Sequence, residues 1–162
     1  SWIFPDAWED YLAPIPEIER HDMIAAYHKR LTGDDESVLR NCARAWSVWE
    51  STCLSLMPNP ERVAQAADDR FAYAFARIEN HYFVNRGFFG SDAELLERVD
   101  RLKAIPGVIV QGRYDITTPM RSAWDLHKAW PEARLDIVTD AGHTGTEPGL
   151  ASALINATDR FI

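Results

Sequence analysis

Apolar and polar positions alternate with two different rhythms along the chain. From about residue 5 to residue 102 apolar residues recur every three or four positions, which predicts helices. The stretch DDESVLRNCARAWSVWESTCLSLM opens on acidic N-cap candidates and runs to Pro58. NPERVAQAADDRFAYAFARIENHYFVNRG reads as a second long helix, with Asn59 as N-cap, Pro60 at its first position and Gly87 just past its end. Shorter helices are predicted near 15–31 and 91–102. From about 103 the rhythm changes to short apolar runs. PGVIVQG, bounded by proline and glycine, reads as a buried parallel strand, and ARLDIVTD as a second. PMRSAWDLHKAW is an amphipathic helix between them, and PGLASALINATDRFI a final helix. Strand, helix, strand, helix predicts an α/β layer with parallel strands over 103–162, preceded by an all-helical domain over 1–102. Two strands and two helices cannot cover both faces and both edges of a sheet. Further strands are therefore expected from a larger protein or from exchange with a second copy.

Composition narrows the classes of function. With 46% hydrophobic and 11% aromatic residues the chain has the material for a packed core, not for a disordered segment. A net charge of -8 argues against nucleic acid or an anionic membrane as the main partner. No apolar run reaches the roughly 20 residues of a membrane span. Cys42 and Cys53 fall in one predicted helix, about three turns or roughly 16 Å apart, so they read as small core residues and not as a disulfide. The opening SWIFPDAW already has the texture of structured sequence, and the chain is expected to be a segment of something longer.

Two residues stand where chemistry gathers in open α/β sheets, just beyond strand ends. Asp115 follows GVIVQG, and His143 follows LDIVTD in DAGHTGTEP. A strand-end aspartate alone also suits a turn, and a Gly-His loop alone means little; together they match the last two members of a nucleophile–acid–histidine triad. His21, His28 and His127 sit among charged neighbours and are expected at the surface, while His81 stays open. The nucleophile is missing: no glycine of this sequence has a serine or cysteine two positions on, as a G-x-S-x-G elbow needs. Ser47, Ser51 and Ser55 recur every four residues, the mark of a solvated helix face. Metal spacings such as H-E-x-x-H are also absent. Two glutamates lie on apolar helix stripes, where an unpaired charge is costly. Glu50 shares its side with Trp46, Trp49, Cys53, Leu54 and Met57. Glu79 borders a stripe of Phe71, Phe75, Ile78 and Tyr82. Either each pairs with an arginine (Arg44, Arg77 and Arg86 are candidates) or both wait for a ligand cation.

The combination GRYDITTPMRSAWDLHKAWPEARLDIVTDAGHTGTEP closely resembles the C-terminal part of the proline iminopeptidases, serine peptidases of the α/β-hydrolase fold. SWIFPDAWEDYL, the WSVWE helix and ARIENHYF resemble that family's cap domain, so the resemblance covers essentially the whole chain. It implies a helical cap over 1–102, followed by the C-terminal part of the hydrolase sheet over 103–162. It implies that Asp115 and His143 are the triad acid and base, and that Glu50 and Glu79 bind the ammonium of an N-terminal proline. Peptides beginning with proline would be the substrates, no metal or organic cofactor would be needed, and the cytoplasm would be the place of action. The family's N-terminal half, with its first strands, oxyanion-hole loop and serine, is not in this sequence, so the segment alone is expected to be inactive. The alternatives are another capped α/β-hydrolase acting on esters, lactones or epoxides, and a non-catalytic binding module.

Overall fold

The computed structural model describes all 162 residues, which gather into two compact units. One comprises Ser1–Cys53 and Asn59–Phe88, the other Leu54–Pro58 and Phe89–Ile162. Residues 89–102 therefore pack with the second unit. No helix is long and apolar enough to cross a membrane.

The first unit is all helical: α1 (Pro5–Leu12), α2 (Met23–Leu31), α3 (Glu36–Cys53), α4 (Pro60–Ala66) and α5 (Asp69–Val84). Helix α3 is its axis and packs against the other four. The core is aromatic. Tyr11 stacks on Tyr27 with ring centroids 4.7 Å apart, and Trp46 meets Tyr27 edge-on at 5.2 Å. Tyr27 is 0% exposed, and its hydroxyl donates to the Tyr11 carbonyl at 2.6 Å, so its buried phenol is paired.

Several helix boundaries differ from the sequence expectation, each because side chains or loops claim backbone groups. The helix expected to run to Pro58 ends at Cys53. Beyond it the Leu54 carbonyl accepts from the amides of His143 and Thr144 in the second unit, and the chain follows that loop in place of the helix axis. The helix expected over 59–87 is two, because the Asp68 carboxylate accepts from Arg70 N and Phe71 N and starts α5 afresh. Asp22 likewise caps α2, leaving only a 3₁₀ turn at Glu17–Glu19 from the start of the predicted 15–31 helix. The predicted 91–102 helix is reduced to α6 (Glu94–Glu97) and a 3₁₀ turn over Val99–Arg101. The end of α5 is as expected: the chain turns left-handed at Arg86, Gly87 and Phe88, with φ of 52°, 62° and 64°.

Two faces were also misassigned by periodicity. Ser47 and Ser51 are buried, Ser47 to 1%, and their hydroxyls find no partner in the protein. The solvated side of α3 lies instead at Ser37, Arg40, Asn41 and Arg44, which are exposed. On α5 the packed face is Ala72, Ala76 and Asn80, whereas Phe71, Ile78 and Tyr82 are more than half exposed. Small side chains let α5 approach α2 and α3 closely, which displaces the aromatic stripe to the flank.

The second unit holds the predicted layer. Strands β1 (Val108–Gly112) and β2 (Arg134–Val138) pair in parallel, Val108 opposite Arg134 and Gly112 opposite Val138. Helix α7 (Met120–Ala129) makes the crossover, and α8 (Pro148–Thr158) packs on both strands. His127 is not a free surface group: its Nδ1 lies 3.1 Å from the Ala133 carbonyl. His28 is tied in as well, with Nδ1 2.9 Å from Oδ1 of the buried Asn80 in the first unit.

Candidate active site

Asp115 sits in the turn that follows β1, and the turn is made by its own side chain. Oδ1 accepts from Thr117 N at 3.0 Å and from Thr118 N at 2.8 Å, so the carboxylate closes the loop that leads into α7. Oδ2 accepts from the Thr118 hydroxyl at 2.8 Å, from Gln111 Nε2 at 3.1 Å and from His143 Nδ1 at 2.9 Å. The residue is only 7% exposed. Burial, the largest single influence, would raise its pKa. The hydrogen bonds from Thr118 and His143 together outweigh burial and hold the carboxyl below its ordinary value.

His143 reaches that carboxylate because the parallel pairing continues past the strands. Arg113 N donates to the Val138 carbonyl at 2.8 Å and Tyr114 N to the Ala141 carbonyl at 3.0 Å. The 140–143 loop is thereby laid against the end of β1. Gly112 is what allows the approach, since a Cβ there would lie 1.9 Å from the Gly142 carbonyl oxygen.

The geometry also fixes the histidine tautomer. The Thr118 hydroxyl gives its one proton to Asp115, so its 3.1 Å contact with His143 Nδ1 is that of an acceptor. Both neighbours of Nδ1 being acceptors, the proton belongs on Nδ1. Nε2 is left with its lone pair as the ring's basic face. An ionised, immobilised acid holding an imidazole in this tautomer is the arrangement of a general base awaiting a hydroxyl.

The two glutamates lie in the first unit, on α3 and α5, and both are partly buried. Glu79 Oε2 accepts from the Trp46 indole at 2.6 Å. Burial raises the Glu79 pKa, and the indole hydrogen bond only partly offsets it. Two of the arginines weighed as partners make other contacts: Arg44 with Asp69 at 2.6 Å, and Arg77 with Tyr73, whose ring its guanidinium covers. Glu50 and Glu79 act on a common neighbour. The Tyr11 phenol is pushed well above its ordinary pKa, first by burial and then by the charges of Glu79 and Glu50. A concentration of negative charge beside packed aromatic rings is suited to a cation with an apolar body.

The chain has no cluster of three or more His, Cys, Asp or Glu that could hold a metal. Sequence reasoning missed Gln111 and Thr118, which complete the Asp115 cradle. Their only signal was proximity to the strand-end aspartate. His81 remains exposed, with its ring beside Phe88 and Tyr82.

Comparison with known proteins gives a consistent set of relatives. The family model described as TAP-like protein (Abhydrolase_4) matches residues 90–162. The chain is 60% identical, over 100% of its length and 50% of the relative's, to a probable proline iminopeptidase from Leptolyngbya boryana. It is 56% identical to a proline iminopeptidase from Arabidopsis thaliana, over 98% of this chain and 42% of that one. With a proline iminopeptidase from Neisseria gonorrhoeae the identity is 46%, over 100% of this chain and 51% of that one. The chain thus spans about half the length of the curated relatives it matches.

Proposed function

Because the chain corresponds to a C-terminal part of the proline iminopeptidases, with the fold of the C-terminal part of an α/β-hydrolase, we propose that the whole protein is a serine aminopeptidase that releases N-terminal proline from peptides. The observation that carries the proposal is the 2.9 Å bond from His143 Nδ1 to a buried, fivefold hydrogen-bonded Asp115.

In this reading the serine, the oxyanion hole and the remaining strands belong to sequence outside these 162 residues. His143 Nε2 takes the serine proton as the hydroxyl attacks the first carbonyl of the peptide. The same proton passes to the leaving amine, and water, deprotonated in turn by His143, frees proline from the acyl-enzyme. Asp115 stays ionised throughout and stabilises the imidazolium. Glu50 and Glu79 bind the ammonium of the N-terminal proline, and anchoring that group restricts cleavage to the first residue. A neutral substrate would not offset the charge of the two partly buried carboxylates, which favours the cationic one. The chemistry described requires neither metal nor organic cofactor. A cytoplasmic site of action is part of the same proposal and rests on the family resemblance alone.

The test is hydrolysis by the full-length protein of proline amides with a free amine, set against N-acylated proline amides and simple esters. Cleavage confined to the free-amine amides is expected. Equal cleavage of the acylated substrates would remove the anchoring role of Glu50 and Glu79. A clear preference for esters would favour another capped α/β-hydrolase, and no cleavage of any would favour a binding module.

A further inference from the structure

Glu147 leads into α8 at its N-cap position, yet its carboxylate makes no bond to its own helix. It bridges two amides instead. Oε2 accepts from Gly142 N at 2.8 Å, immediately before His143, and Oε1 accepts from Leu56 N at 2.9 Å, 91 residues away in sequence. The connection is reinforced from the other side. The Leu54 carbonyl accepts from His143 N at 2.9 Å and from Thr144 N at 3.0 Å. Thr144 O in turn accepts from Glu147 N at 3.0 Å, closing the loop on itself. Gly142 admits the neighbouring segment: a Cβ there would lie 2.8 Å from Leu56 N and 3.2 Å from Leu54 O. Three consecutive amides, Gly142 to Thr144, are thus all committed, two to one distant segment and one to the carboxylate that also holds that segment.

We propose that Glu147 is a positioning residue for His143: its carboxylate clips the histidine loop to Leu54–Pro58 and so fixes where the imidazole stands against Asp115. The inference rests on the reading of His143 as general base. Asp115 holds the ring by one atom, Nδ1, which sets tautomer but leaves the ring free to swing with its backbone. The clip removes that freedom at the residue before the histidine. A displacement of about 1 Å at a catalytic group costs on the order of 100-fold in rate, so a loosened loop should be felt in turnover and not in binding.

The test uses the full-length protein with Glu147→Gln and Glu147→Ala. Glutamine keeps the volume but presents an NH₂ group to one of the two amides; alanine removes both acceptors. With a proline amide substrate, kcat should fall roughly 10-fold in the first and roughly 100-fold in the second, with KM within about twofold of wild type. Independently of activity, the proton shared between His143 Nδ1 and Asp115 should give a downfield ¹H NMR signal in the wild type, and this signal should broaden or vanish in Glu147→Ala. Unchanged kcat, or a loss confined to KM, would overturn the assignment. If the wild type cleaves no proline amide, the functional reading fails, and the NMR signal alone then decides. Its persistence in a folded Glu147→Ala variant would overturn the clip.

Discussion

Asp115 joins a structural task to the chemical one proposed for it. Two of its hydrogen bonds build the turn into α7, and the other three aim a buried negative charge at His143. Asp115→Asn replaces one acceptor oxygen with an NH₂ donor and so favours the wrong histidine tautomer. Turnover of the full-length protein should fall by roughly 10⁴ with little change in fold, read as kcat beside a circular dichroism spectrum. Glu79 calls for a pH argument. Its folded pKa lies above 4.5 because the carboxyl is partly buried. The folded state therefore binds the proton more tightly, and the group's contribution to stability declines as pH rises through the window above 4.5. The anchoring role proposed for it runs the other way, since only the carboxylate holds a cation. KM for proline amides should rise as pH falls through that window, and Glu79→Gln should give a high KM without that dependence. A KM profile of wild type and variant measures both. The Asp115–His143 pair was legible in sequence because each residue closes a strand that the apolar runs announced. Thr118, Gln111 and Glu147 were not, because their roles depend on the path of loops, and a loop's path leaves no periodic trace.

At the scale of elements, the sequence announced types better than boundaries. Both strands, the crossover helix and the long α3 lie where the apolar rhythm placed them. The ends moved wherever a cap or a distant loop competed for backbone groups. Asp68 is the sharpest case: embedded in a run that reads as one helix, it divides α4 from α5 by accepting from two amides of the following turn. Asp68→Ala should cost about 1 kcal/mol, seen as a lower urea midpoint with an unchanged slope. The buried Ser47 and Ser51 show the opposite limit of periodicity. A serine every fourth residue looks like a wet face until the number of packed neighbours is known, and that number is a property of the assembled helices and not of α3.

Over the whole molecule, two free cysteines report on opening. Cys42 and Cys53 are both buried, and burial pushes each thiol up to about 11. For Cys53 the nearby Glu50 carboxylate adds to the effect. Such thiols react only when the surrounding structure opens. Labelling by a disulfide reagent at neutral pH should be slow in the native state and rapid in denaturant. Fast native labelling of Cys53 alone would show local opening at the end of α3. The two-texture division was visible from the apolar pattern at once. The allotment of Leu54–Pro58 was not, because these five residues are flanked on both sides by sequence of the first unit and are held by a loop some 90 residues later.

That allotment bears on recombination between relatives. The helical unit is not one continuous block but two, Ser1–Cys53 and Asn59–Phe88, with Leu54–Pro58 passing through the second unit between them. A chimera that grafts residues 1–88 from a relative also replaces the five-residue strap whose Leu54 carbonyl and Leu56 amide hold the histidine loop. Its loss of turnover would then be misread as incompatibility of substrate specificity. Exchange at the two joints 53/54 and 58/59, keeping the host's own strap, separates the specificity proposed for Glu50 and Glu79 from the positioning proposed for His143.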